Sequence, residues 1–88
     1  MEQDKPLPPW YVYIVRASDQ SLYTGITTDP ERRFAEHQSG KAGAKYFRGR
    51  TASEMVYLEA STDRSSASKR EAQIKKMSRL EKLVLIER

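Results

Sequence analysis

Five side chains of this 88-residue sequence are of types that do chemistry, at spacings that could bring them together. Tyr13 and Tyr23 fall in two short runs, WYVYIVR and SLYTGI. Arg33 and His37 stand four residues apart, and Glu71 comes much later in a segment with apolar residues at helical spacing. Arginine grips a phosphate through two parallel hydrogen bonds, a geometry that lysine does not reproduce. Tyrosine and histidine carry or orient protons, although a free tyrosine, with a pKa of about 10, is a poor base at neutral pH. Histidine titrates close to working pH. One carboxylate, helped by waters and a phosphate, is enough to hold Mg²⁺. No second histidine and no cysteine exists to build a zinc site around His37, and disulfides are excluded.

Each residue also has an ordinary structural reading, so the elements that would position them decide. Residues 10–16 are aromatic and β-branched, which suits a strand, and SLYTGI reads as the returning strand of a hairpin after the turn-like ASDQ. Asp29 with Pro30 at the first helical position, or Thr28 with Glu31 as a capping box, starts a helix that runs to about Gln38 and stops near Ser39-Gly40. The segment 40–50 reads as a basic loop with a short helical turn around Ala44–Phe47. SEMVYLEA at 53–60 fits strand or helix, and its brevity and Met-Val-Tyr-Leu centre favour a third strand. Ser61-Thr62-Asp63 caps a helix from about Arg64 to Met77. Leu80, Leu83, Val84 and Ile86 suggest a last helix packing on it. The order β-β-α-β-α-α implies an α+β fold, a small sheet covered by helices. Its length supports one domain over residues 10–88, with residues 1–9 as a loose tail.

Alternate residues of a strand share a face. A three- or five-residue hairpin loop sets Val15 across from Tyr23 and Tyr13 across from Gly25. Both tyrosines then share a face, and Gly25 leaves room beside Tyr13 for something to approach. A four-residue loop breaks that arrangement. The ordinary role of either tyrosine is to pack on a helix. On the first helix Phe34 is the expected anchor to the core, with His37 about 60° and Arg33 about 100° around from it, at the rim. On the helix from Arg64, Glu71 falls inside the stripe of Ala67, Ile74 and Met77. An inward carboxylate needs a partner: either an arginine such as Arg33, or a divalent metal.

Charge adds a partner class. Sixteen Lys and Arg against twelve Asp and Glu give a net charge of +4. Residues 41–50, KAGAKYFRGR, carry Lys41, Lys45, Arg48 and Arg50 with no acid. Such a run suits a polyanion, although basic faces also serve solubility. The opening MEQDKPLPP lacks the apolar core of a secretory signal, and the longest apolar run, Trp10–Val15, is far short of a membrane span. A soluble cytoplasmic protein with no membrane partner is expected.

These motifs together resemble the GIY-YIG nuclease superfamily. The resemblance rests on Tyr11-Val12-Tyr13 and Tyr23-Thr24-Gly25 on paired strands, Arg33-Phe34 with His37 on the next helix, and Glu71 downstream. The wording LYTGITTD, ERR and HQSGK resembles its small stand-alone bacterial members, over roughly residues 9–88. The family's first tripeptide begins with glycine, where this chain has Tyr11. The resemblance implies a three-stranded antiparallel sheet flanked by helices and a metal-assisted phosphodiesterase site. It makes Tyr13 and Tyr23 the paired tyrosines, Arg33 the essential arginine, Glu71 the ligand of one Mg²⁺ or Mn²⁺ ion, and His37 a histidine found in several branches. The expected activity is endonucleolytic hydrolysis of nucleic acid, DNA favoured over RNA, by a monomer or weak homodimer. Lys41, Lys45, Arg48 and Arg50 would track backbone phosphates. Tyr13 is favoured as general base with His37 assisting. The competing expectation is a non-catalytic nucleic-acid-binding module that keeps the fold.

Overall fold

The computed structural model describes residues 9–39, 47 and 49–88. Within them run β1 (Trp10–Ala17), β2 (Leu22–Thr27), α1 (Pro30–Ser39), β3 (Ala52–Ser61), α2 (Arg64–Lys75) and α3 (Arg79–Ile86). The three strands form one antiparallel sheet in the order β2-β1-β3. The α+β order read from the sequence is therefore the observed one, with SEMVYLEA a strand. The expected tail up to residue 8, and Lys41, Lys45, Arg48 and most of the Ala44–Phe47 turn, lie outside the described residues.

The hairpin between β1 and β2 has a three-residue loop, Ser18-Asp19-Gln20. Ala17 and Ser21 are joined by a backbone hydrogen bond of 2.9 Å, and Gln20 adopts φ of 72°. A left-handed residue at the end of such a loop is the usual way to close it. Asp19 stabilises the turn by accepting the Ser21 N–H at 3.0 Å. Arg50 Nε donates to Asp19 Oδ2 at 2.9 Å, and Arg79 donates to the Gln20 carbonyl at 2.9 Å. The chain entering β3 and the start of α3 are thus pinned to the hairpin tip.

This loop length fixes the register: Tyr13 pairs with Gly25 and Val15 with Tyr23. The two faces of the sheet then bury different sets. Val12 and Ile14 pack on Ala67, Ile74 and Leu85. Tyr13, Val15 and Ala17 pack with Phe47 and Ala52, joined by Tyr23, Phe34 and Met55. A bulge in β3 keeps both sets coherent. Tyr57 faces Ile14 and Met55 faces Val15, with Val56 left over between them.

Side-chain caps start all three helices. Asp29 Oδ1 accepts the Arg32 N–H at 3.1 Å, so Asp29 rather than Thr28 caps α1. Asp63 caps α2 through the Ser66 N–H at 2.8 Å, and Ser78 with Glu81 forms a capping box on α3. One expectation for α3 fails. Leu80 is 72% exposed and Val84 55%, while Leu85 is the buried anchor. Leu85 reaches the Val12–Ile14 cluster with Ile86 packed against it, and that face turns Leu80 and Val84 outward.

Candidate active site

The centre of the candidate site is a buried pair. The Tyr13 hydroxyl lies 2.8 Å from His37 Nε2, linking β1 to α1. Tyr13 is 1% exposed and His37 3%. His37 therefore does not sit at the rim as its helical angle predicted. It is the buried residue of α1, with Phe34 only half-buried. Two features make this depth tolerable: the hydrogen bond to Tyr13, and a shell of rings. His37 contacts Tyr13 at 5.8 Å between centroids, Tyr23 at 5.2 Å and Phe47 at 4.6 Å. Tyr13 and Tyr23 lie 6.3 Å apart.

Hydrogen-bond accounting assigns the proton between them. Nδ1 of His37 has no partner among the described residues. Were Nε2 protonated, both the Tyr13 O–H and the Nδ1 lone pair would be buried and unmet. With Nε2 as acceptor, Tyr13 donates and only Nδ1–H is unmet, so this tautomer costs less. Burial, with the Arg33 charge adding to it, pushes His37 down to about 4. The ring is neutral at pH 7, and its bare Nε2 accepts the Tyr13 hydrogen bond. Burial pushes Tyr13 up to about 12; the nearby Arg33 guanidinium opposes the rise, and Tyr23 and Glu71 add to it. Tyr13 is thus ionised even less at pH 7 than a free tyrosine, and its hydroxyl already has an acceptor behind it.

Gly25 has a different role from the one expected. The room it leaves is filled by Tyr13 itself. A Cβ at Gly25 would lie 2.5 Å from Tyr13 Oη and 2.7 Å from Cζ. The glycine lets the ring lie flat across β2 and aim its hydroxyl at α1.

Arg33 and Glu71 both act on Tyr13, but not on each other in a salt bridge. Arg33 Nη1 donates to Glu36 Oε1 at 3.1 Å within α1. The partner of Glu71 is Lys75, at 3.1 Å within α2. The Arg33–Glu71 pairing considered from sequence is therefore replaced by two local pairs, which helical spacing makes easier to form. Glu71 remains partly buried inside the Ala67–Ile74 stripe, as expected. Its direction is set by its neighbour. Arg70 Nε donates to Glu59 Oε1 at 3.2 Å, tying α2 to β3 and turning Glu71 about 100° away.

The basic run is only partly in view. Arg50 pairs with Asp19 at the hairpin tip, away from the buried pair. Phe47, 8% exposed, was missed by the sequence reading. Its one signal was an aromatic residue inside an otherwise basic run, with no periodicity to say which way it points. Among the described residues no cluster of three His, Asp or Glu gathers, and no helix is long and apolar enough to cross a membrane.

Comparison with known proteins agrees with this geometry. Residues 9–83 match the GIY-YIG catalytic domain. The chain is 57% identical over 76 residues to a UPF0213 protein of Syntrophus aciditrophicus, covering 86% of this chain and 87% of that one. It is 44% identical over 80 residues to UPF0213 protein YhbQ of Escherichia coli K12, covering 91% and 79%. The solution structure of a UPF0213 protein from Bacillus halodurans superposes with a TM-score of 0.57 at 43% identity, covering 90% of this chain and 83% of that one. Matched over most of its length in sequence and in fold, the chain belongs to the GIY-YIG family, among its small stand-alone members.

Proposed function

We propose that this chain is a divalent-metal-dependent endonuclease that hydrolyses phosphodiester bonds in nucleic acid, DNA in preference to RNA. The observation that carries the reading is the Tyr13–His37 hydrogen bond, 2.8 Å long, lying within electrostatic reach of both Arg33 and Glu71. A proton donor–acceptor pair, a cation for phosphate and a carboxylate for metal are the parts that phosphoryl chemistry requires. Family membership supports the nuclease class.

Glu71 fits a single hard cation. Its carboxylate is partly buried and has one cationic partner among the described residues, Lys75. Mg²⁺ or Mn²⁺ would be held by Glu71, with waters and a substrate phosphate completing the shell, and would stabilise charge building on the phosphoryl oxygens. Arg33, partly exposed, grips a phosphoryl oxygen from the α1 side. Tyr23 lines the more open side of the tyrosine pair and orients the attacking water. Tyr13 takes the proton of that water as its own passes to Nε2 of neutral His37. Burial of both partners keeps that proton out of bulk exchange. In this reading residues 10–88 act as one domain in the cytoplasm, as a monomer or weak homodimer, and the basic run at Lys41, Lys45, Arg48 and Arg50 follows the phosphate backbone.

The test is a cleavage panel of single-stranded, duplex and branched DNA and RNA with Mg²⁺ or Mn²⁺, using Glu71→Ala and a chelator as controls. Metal-dependent product that falls about 100-fold or more in Glu71→Ala supports the reading. Salt-dependent binding with no product on any substrate would favour the non-catalytic binding module instead.

A further inference from the structure

The strength of the Tyr13–His37 pair depends on how the imidazole plane is held. A histidine that moves protons usually has its second nitrogen fixed by a carbonyl or carboxylate. Here Nδ1 has no such partner among the described residues, and among them a single hydrogen bond, from Tyr13, holds the ring. One bond leaves the plane free to rotate about it. Packing must supply the missing restraint, and among the described residues three rings touch His37. Tyr13 is the hydrogen-bond partner itself. Tyr23 meets the imidazole edge-on at 5.2 Å. Phe47 is nearest, with centroids 4.6 Å apart and planes tilted by 42°. Its ring also contacts Tyr23 at 5.2 Å and belongs to the same buried cluster as Tyr13.

We propose that Phe47 is a positioning residue for the Tyr13–His37 pair, its ring fixing the imidazole plane and keeping water from it. Phe47 touches no reacting atom; it acts through the histidine. In sequence it stands between Lys45 and Arg48, so the run that seeks phosphate also supplies the ring that braces the proton acceptor. The proposal rests on the reading of Tyr13–His37 as the working pair, but its test does not depend on cleavage.

His37 is the chain's one histidine, so its imidazole signals are unambiguous in NMR. Besides Tyr13, Tyr23 and Phe47, the charges acting on it are those of Arg33 and Glu36. In the wild type its titration midpoint is expected near 4. In Phe47→Ala, with water admitted beside the ring, the midpoint rises by at least about one unit toward 6.5. Phe47→Tyr, which keeps a flat ring, restores the wild-type midpoint. If Phe47→Ala does not fold, Phe47→Val opens a smaller gap and shifts the midpoint the same way by about half a unit. A folded Phe47→Ala or Phe47→Val protein whose histidine titrates as in the wild type overturns the proposal. So does a Phe47→Tyr protein that fails to restore the midpoint. Where a cleavable substrate is in hand, kcat follows the same order with KM unchanged. A chain that cut nothing would leave the titration test intact.

Discussion

Replacing Gly25 by alanine is the sharpest probe of the packing that aims Tyr13. In most strand positions this change is favourable by about 0.5–1 kcal/mol, because glycine loses more backbone freedom on folding. At Gly25 the sign should reverse. The new Cβ would stand 2.5 Å from Tyr13 Oη and 2.7 Å from Cζ, so the ring must move. Tyr13 is 1% exposed and enclosed by Tyr23 and His37, which leaves it no empty space to enter. Overpacking of this kind costs about 1–3 kcal/mol. Lifting the ring also breaks the 2.8 Å bond to His37, leaving a buried nitrogen unmet at a further cost of about 1–3 kcal/mol. A total near 3 kcal/mol is large against the roughly 5–15 kcal/mol that holds a typical domain. For a domain of this size it lowers the melting temperature by about 12–24 °C, at about 4–8 °C per kcal/mol. Urea denaturation of Gly25→Ala gives the loss directly. On a Tyr13→Phe background the penalty should shrink without vanishing, since Oη is gone but Cζ remains. A Gly25→Ala protein as stable as wild type, with His37 still titrating near 4, would refute the reasoning. An undiminished penalty on the Tyr13→Phe background would place the clash elsewhere.

Three further outcomes follow from burial and exposure. The folded pKa of His37, about 4, lies below the ordinary 6.5, so the unfolded chain takes up its proton first as pH falls. The stability contributed by neutral His37 is complete above pH 6.5 and is lost progressively toward pH 4, about 3 kcal/mol in all. Urea midpoints measured from pH 7.5 to 5 should therefore fall in the wild type, with a shallower slope in His37→Gln; equal slopes would contradict the buried neutral imidazole. On α3, Leu85→Ala should cost about 2–5 kcal/mol. Leu80→Ser, at a position 72% exposed, should change stability by less than about 0.5 kcal/mol in the same denaturation assay.

The sequence carried the order of elements well because its signals are local. Asp29-Pro30, Asp63 and the alternation in WYVYIVR each act within a few residues, and the structure uses all of them. The hairpin register was legible as two alternatives, and the three-residue loop selected the one pairing Tyr13 with Gly25. Depth was harder to read. A helical wheel gives the angle of His37 but not how far the face sinks, which depends on Phe47 arriving from ten residues later. Gly25 announced that a side chain was missing, yet only the fold says that Tyr13 fills the space. The Glu71–Lys75 pair, by contrast, lay at readable i,i+4 spacing and was passed over for a longer-range partner. Leu80 and Val84 match the apolar period of α3 but face outward, since its one buried anchor is Leu85.

The central claim is that Glu71 serves a metal-dependent phosphodiester cleavage. Its most direct test is the Mg²⁺-dependent cleavage rate of Glu71→Gln beside the wild type, at nucleic-acid concentrations that saturate both. The amide keeps the shape and removes the charge. A rate lower by about 100-fold or more, with binding retained, is the result expected. Equal rates in Mg²⁺ would contradict it.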